Sequence, residues 1–359
     1  MFLRQCKWFN IIFVFKLIRQ FMRLTFTLLC LFSVSFAFSQ TDTTENFDYS
    51  NFGDADGVKR YCTQKVLNQT PQRILSLGFE QYGGFSMPGI SFNSKQSPTQ
   101  INIANVNAIR AQVNVPVIST NKIIWQMGVN YWSSKFNVTN PKVNDFATAL
   151  DQNALLTAGI NTTVFKPINE KNFLIFQASA DVNGLFENAN AIQNKAITLS
   201  GTVIYGWKTS EKNMIGAGLA RTYRAGQLMH LPVLFWNKTF NDKWGMELLL
   251  PARGFVRYNF STTSMLQAGF ELEGNQYLMQ LPSTMGRNAY IQRGEVKPRI
   301  MWDKKLAGFL WINAQAGLRY NYRFDVVNRY DAREDSQRFF SSNLGNPLFF
   351  NISLNFVSP

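Results

Sequence analysis

The side chains able to do chemistry lie mostly in charged rows. Arg293, Glu295, Lys297 and Arg299 alternate along one segment, and Glu271 and Glu273 alternate along the segment before it. On two adjacent strands with matching faces, these rows form a ladder of opposite charges. Arg110, Lys122, Arg319 and Arg323 add positive charge to faces of the same kind. Such a ladder has two uses. It lines a constriction with mild anion preference, or it fills an interior and holds the wall rigid through ion pairs.

Other chemistry has less behind it. His230 is the only histidine, in Leu228-Met-His-Leu-Pro232. A lipid-modifying enzyme would need a serine beside it and a third group to orient the imidazole. No Gly-x-Ser-x-Gly occurs, and no serine can be assigned to His230. Asp54 and Asp56 before Gly57 resemble half a calcium loop, but the bidentate glutamate is missing downstream. Cys62 is the one cysteine beyond residue 39. It can form neither an internal disulfide nor a cysteine zinc site. The expectation is a protein without catalytic, metal or cofactor site.

The elements that must position the charged rows come next. The chain has 359 residues, of which 46% are hydrophobic, 14% aromatic and only 16% charged. Ordinary soluble domains carry about 25% charged residues. Residues 1–39 hold Arg4, Lys7, Lys16, Arg19 and Arg23 and no acid. An apolar run, Leu24 to Phe38, leads to Ala37-Phe-Ser39 before Gln40. That order reads as a cleavable signal peptide with its start at Met22. A membrane anchor over 8–38 is the rival, but Lys16, Arg19 and Arg23 interrupt it. Leu29 before Cys30 is too bulky for a lipoprotein signal. Removing the leader takes five of 36 basic residues, so 31 face 22 acids and the net charge falls from +14 to +9. The remaining cations are dispersed, and nucleic acid is not an expected partner.

Beyond the leader the dominant period is two. Ile109, Ala111, Val113, Val115 and Val117 alternate with Arg110, Gln112 and Asn114. The same alternation runs through Lys122–Tyr131, 174–182, 197–207, 266–272, 310–322 and 348–356. Side chains on a strand point alternately to two faces, so each segment has one apolar and one polar side. Weaker candidates at 74–82, 154–166, 213–224, 228–238, 243–250, 254–260 and 289–302 bring the total to 14. Some merging is expected, giving about 12 strands within a range of 10–14.

Alternation of this kind suits a soluble sandwich or a membrane barrel. Several segments approach the 9–11 residues that cross a bilayer at a tilt. Aromatics sit near the ends of apolar rows, as at Trp125/Tyr131, Tyr205/Trp207 and Tyr320/Tyr322. The polar rows mix long charges with Gly, Ser and Asn. These features favour an all-β, antiparallel, up-and-down transmembrane barrel over residues 71–359. Residues 40–70 form a polar tail, either periplasmic or folded into the lumen. Segments 136–152, 184–195, 274–288 and 325–346 are expected as surface loops.

The last strand, Leu348-Phe-Phe-Asn-Ile-Ser-Leu-Asn-Phe356, resembles the carboxy-terminal signal of bacterial outer-membrane proteins. Together with Arg73-Ile-Leu-Ser-Leu-Gly78, Leu249-Leu-Pro251 and Val256-Arg-Tyr258, the layout is similar to a family of uncharacterised Bacteroidetes outer-membrane β-barrels. The resemblance implies a place in the outer membrane, in contact with its lipid and lipopolysaccharide. It also implies recognition by the barrel-assembly machinery through the strand ending at Phe356. The role expected is a passive channel for small solutes or a structural barrel. The alternatives are a lipid-modifying enzyme using His230 and a binding barrel displaying its loops.

Overall fold

The computed structural model describes residues 62–87, 100–186, 193–280, 288–334, 338–342 and 344–358. The leader, the tail up to residue 61 and the Asp54/Asp56 pair lie outside them. Within them the chain is a single antiparallel wall. In chain order the strands are β1 (Arg73–Tyr82), β2 (Phe85–Met87), β3 (Ile101–Ser119), β4 (Ile124–Val138), β5 (Ala154–Pro167) and β6 (Asn172–Leu185). Next come β7 (Ile197–Ser210), β8 (Asn213–Thr222), β9 (Met229–Thr239), β10 (Trp244–Leu250), β11 (Arg253–Ser261) and β12 (Ser264–Gln280). The last are β13 (Asn288–Ala307), β14 (Leu310–Leu318), β15 (Tyr320–Val327), β16 (Arg338–Ser342) and β17 (Leu348–Val357).

Each strand from β3 to β13 pairs with the next in antiparallel fashion. The last strand then closes the ring. β17 lies between β14 and β1, with Leu354 opposite Ile312 on one side and Leu77 on the other. β1 in turn pairs with β3. Along β14, β17, β1 and β3 closure leaves no open edge among the described residues.

Three of the strands are interrupted. β1 and β2 break at Gly83-Gly84, where a Cβ on Gly84 would lie 2.7 Å from the Ala104 carbonyl oxygen. β14 and β15 break at Arg319, and both halves pair with β13. β16 and β17 pair with β15 and β14 respectively. Counting each broken strand once, the 17 segments make a barrel of 14 strands. The expected merging to about 12 does not occur. The weak candidates 243–250 and 254–260 each hold a separate place in the ring, as the seven-residue β10 and the nine-residue β11.

The two ends differ. Connections at the end holding Arg73 and Val357 are tight. Asn169 Oδ1 accepts the amides of Lys171 and Asn172 at 2.9 and 2.8 Å, and Asn241 Oδ1 accepts those of Lys243 and Trp244. Both are turns closed by the asparagine side chain on its own backbone two and three residues on. At the other end the connections are mostly longer. One holds a helix, α1 (Asp145–Gln152), capped by Asn144 Oδ1 on the Ala147 amide at 2.8 Å. The expected surface loop 136–152 therefore contains a helix, and Phe146, Ala147 and Leu150 on it are buried. The expected loop 274–288 is largely strand, because β12 runs to Gln280 and β13 begins at Asn288.

The faces of the wall divide cleanly. On β17, Leu348, Phe350, Ile352, Leu354 and Phe356 point outward and are exposed, whereas Asn351, Ser353 and Asn355 point inward and are buried. Phe350 is 64% exposed, and Leu77 on the adjacent strand β1 is 57% exposed. The same outward row continues through Ile109, Val129, Ile160, Leu199, Leu219 and Ile300. A water-soluble sandwich buries its apolar rows against each other, and this wall presents them to the outside.

Candidate functional site

The polar rows meet inside. Arg293, Glu295 and Lys297 on β13 project into the lumen with no more than 2% exposure. They join Glu80 on β1, Arg110 on β3, Glu273 on β12 and Arg319 at the β14–β15 break. Lys297 Nζ donates to Glu80 Oε2 and Glu273 Oε2, both at 2.9 Å. Arg319 donates to Glu295 Oε2 through Nε at 2.9 Å and Nη2 at 2.5 Å, and also pairs with Glu80. Arg293 Nε donates to Glu295 Oε1 at 2.6 Å, and Arg110 pairs with Glu273. Lys297 to Glu80 links strands that are not neighbours, so the network spans part of the lumen. A deeply buried ion pair needs its hydrogen bonds satisfied, and here each carboxylate holds at least two cations.

Cations over aromatic faces add to this layer. The Arg319 guanidinium lies 4.1 Å from the Tyr82 ring centroid, and Arg293 lies 4.8 Å from Trp132. Beside the network, Glu271 is held by Arg299 and by Arg224.

Two expected wall residues are elsewhere. Lys122 is exposed in the tight turn between β3 and β4, because the strand begins only at Ile124. Arg323 is opposite Gly294, on the outward phase of β13. The register slips between Gly294 and Glu295, so the alternation that includes Arg319 and Asn321 reverses beyond Tyr322. Arg323 Nη1 instead donates to the Ala225 carbonyl in the β8–β9 connection, at 3.3 Å.

Glu80 was not singled out from sequence, although it shares the polar phase of 74–82 with Ser76 and Gly78. Nor was Arg257, fully buried and bound to Glu247 at 2.5 Å. Its row, Arg257 and Asn259, is short and gives little alternation to read.

Above the network, toward the long connections, the lumen turns apolar. Met87, Val106, Trp132, Phe136, Tyr277, Ile291 and Phe349 form one buried cluster with Phe146 and Leu150 of α1. Phe146 meets Phe324 edge-on at 6.4 Å. The tips of β12 and β6 pair in parallel at Leu278–Gly184 and Met279–Leu185, across strands that are not neighbours in the ring. Asn275 Nδ2 donates to Asn183 Oδ1 at 2.7 Å just below. These contacts draw the upper wall together around the apolar cluster.

At the tight-turn end, residues 62–70 are tied to inward side chains. Thr70 donates to Glu247 Oε1 through its hydroxyl at 2.7 Å and accepts from Gln267 at 3.0 Å. Thr239 Oγ1 donates to the Leu67 carbonyl at 2.6 Å, and Lys208 Nζ to that of Lys65 at 3.1 Å. Cys62 and Val66 pack on Phe165, Phe173 and Met214. Burial pushes the Cys62 thiol above its ordinary range.

His230 is exposed on β9, opposite Arg221 of β8. Among the described residues no hydrogen bond joins it to a serine. No group of three metal-ligating side chains occurs among them either.

Wall and interior together define a closed, fourteen-stranded antiparallel barrel, apolar outside and polar at mid-lumen. Residues 86–356 match the family described as Domain of unknown function (DUF6268), and the chain belongs to that family. No curated protein matches the sequence. Among solved structures, it is similar to a Pseudomonas aeruginosa FadL homologue at 11% identity and a TM-score of 0.39, covering 80% of this chain and 90% of that one. An outer membrane channel from Pseudomonas putida F1 is similar at 10% identity and a TM-score of 0.39, covering 85% and 100%. The P. putida toluene transporter TodX is similar at 10% identity and a TM-score of 0.33, covering 79% and 90%. These likenesses concern the barrel architecture only.

Proposed function

We propose that this chain is an integral outer-membrane barrel that conducts small solutes without catalysis, exported through a cleavable signal peptide. The observation that carries this reading is the division of the closed wall, apolar rows outward and polar rows inward. Hydrocarbon solvates the first, and the second faces the lumen. Lipid and lipopolysaccharide surround the apolar rows, and the strand ending at Phe356 presents itself to the barrel-assembly machinery. The buried apolar cluster around α1 and the tied segment 62–70 favour a narrow path over a wide aqueous pore.

The test is reconstitution in planar bilayers beside a heat-modifiability assay in detergent. A membrane barrel migrates differently before and after boiling and gives small, reproducible conductance steps. Release of segment 62–70 from the lumen, by deleting these residues, raises the step size. A heat-modifiable barrel without any conductance, with or without the segment, supports a structural or binding barrel instead. A chain that stays soluble without detergent removes the membrane reading.

A further inference from the structure

Part of the lower lumen departs from the polar rule. Ile175 on β6, Ile204 on β7, Phe235 on β9 and Leu249 on β10 all line one interior cavity of about 70 Å³. Ile175 and Phe235 continue an apolar strip whose lower part is covered by Cys62 and Val66. Along the cavity Gln69 is the lining residue from segment 62–70, and Ile175, Phe235 and Leu249 are only partly buried. The strand between them, β8, adds no bulk at this level. Gly216 and Gly218 stand there, and a Cβ on Gly218 would run into the Val203 carbonyl. Apolar side chains facing space in an otherwise polar lumen gain by contact with an apolar solute.

The charges at the cavity are unequal. Glu247 is already engaged by Arg257 at 2.5 Å and by the Thr70 hydroxyl at 2.7 Å. Arg253 also lines the cavity, is exposed, and stands directly opposite Glu271 of β12. Both oxygens of Glu271 are taken, Oε1 by Arg224 at 3.4 Å and Oε2 by Arg299. Three guanidinium groups thus surround one carboxylate, and Arg253 enters no ion pair among the described residues. A surplus cation in a concave wall of low dielectric attracts an anion, and a guanidinium holds a carboxylate through two parallel hydrogen bonds.

We infer that this cavity binds a small amphiphilic anion, its apolar body on Ile175, Phe235 and Leu249 and its carboxylate on Arg253. The inference rests on the barrel reading and names the class of solute the lumen takes. The aromatic or aliphatic body and the single acid group are both required by the site. Acetate lacks the first and the corresponding amide lacks the second.

The full chain, reconstituted in lipid nanodiscs, is titrated with 4-phenylbutanoate, 4-phenylbutanamide and acetate, with empty nanodiscs as the blank. The expected order is phenylbutanoate tightest, the amide about tenfold weaker, as for the loss of one charge-assisted contact, and acetate without saturable binding. Arg253→Gln brings acid and amide to equal affinity while binding of both persists. Leu249→Asn weakens both and preserves the preference for the acid. Each variant is first checked for heat-modifiable migration and a β-rich circular dichroism spectrum. Equal affinity for acid and amide in the unaltered chain overturns the inference, as does a preference that survives Arg253→Gln. Absence of saturable binding in an intact barrel overturns it too while leaving the barrel reading standing. Failure to partition into lipid defeats the barrel reading itself.

Discussion

Arg110 and Gln112 stand two residues apart on the same inward row of β3, yet their surroundings have little in common. Arg110 reaches Glu273 and belongs to the charged network of β1, β12 and β13. Gln112 is exposed to open lumen. On the network side, Glu80, Lys297 and Arg319 are almost fully removed from water. Across the lumen, β4 to β7 offer Gln126, Asn130, Asn161, Ser179 and Thr202, all only partly buried. One side of the interior is packed and the other is lined. The same alternation in sequence therefore builds two materials. Long paired charges fill space and brace the wall, and short neutral side chains leave space for water or solute.

Substitutions at four positions break or sharpen this contrast. The largest effect is expected at Glu80. Replacing it by Gln leaves Lys297 and Arg319 buried beside a neutral amide, which costs about 3–5 kcal/mol. Guanidinium unfolding of the reconstituted barrel reads this directly, and an unchanged midpoint means the network is not bracing the wall. Next is the outer face, the reference against which both interior sides are judged. Leu354→Arg places a cation in hydrocarbon at a cost of about 2–4 kcal/mol near the midplane. The same unfolding experiment reports it, and a neutral result would falsify the lipid assignment of that row.

Smaller effects belong to the open side. Gln112→Ala changes stability by no more than about 0.5 kcal/mol, as for a side chain without buried partners. Gln112→Glu at the same place adds negative charge to open lumen and shifts reversal potentials in a salt gradient toward cations, with the unfolding midpoint preserved. If both substitutions prove as costly as the loss of Glu80, the two sides are not different. The smallest effect is expected outside the lumen. His230→Ala leaves phospholipid and lipid A composition unchanged in cells producing the variant, and altered lipids would revive the enzyme reading.

Much of the fold can be read from the residues. Every candidate strand coincides with a strand of the barrel, because period-two alternation is a local property of each segment. The closing strand is legible for the same reason, since Phe350–Phe356 alternates without exception. Arg293, Glu295 and Lys297 can be placed inside on parity alone. Parity fails where the ladder is irregular: the register slip beside Tyr322 turns Arg323 outward, and no local signal announces it. It fails again at Lys122, where the row continues past the end of the strand. Helix α1 was readable in principle from Asn144 followed by Phe146, Ala147 and Leu150, but eight residues within a long connection give a weak periodic signal.

The residues themselves determine which side of each strand is apolar, because that follows from alternation along a single extended segment. Only the closed ring decides which polar side chains become partners. Lys297 and Glu80 are 217 positions apart, and Glu271 forms its ion pairs with Arg224 and Arg299 while Arg253 stands opposite it. Partnership of that kind depends on curvature, register and the inward tilt of the β12 and β6 tips. These are properties of the whole wall, and no single strand contains them.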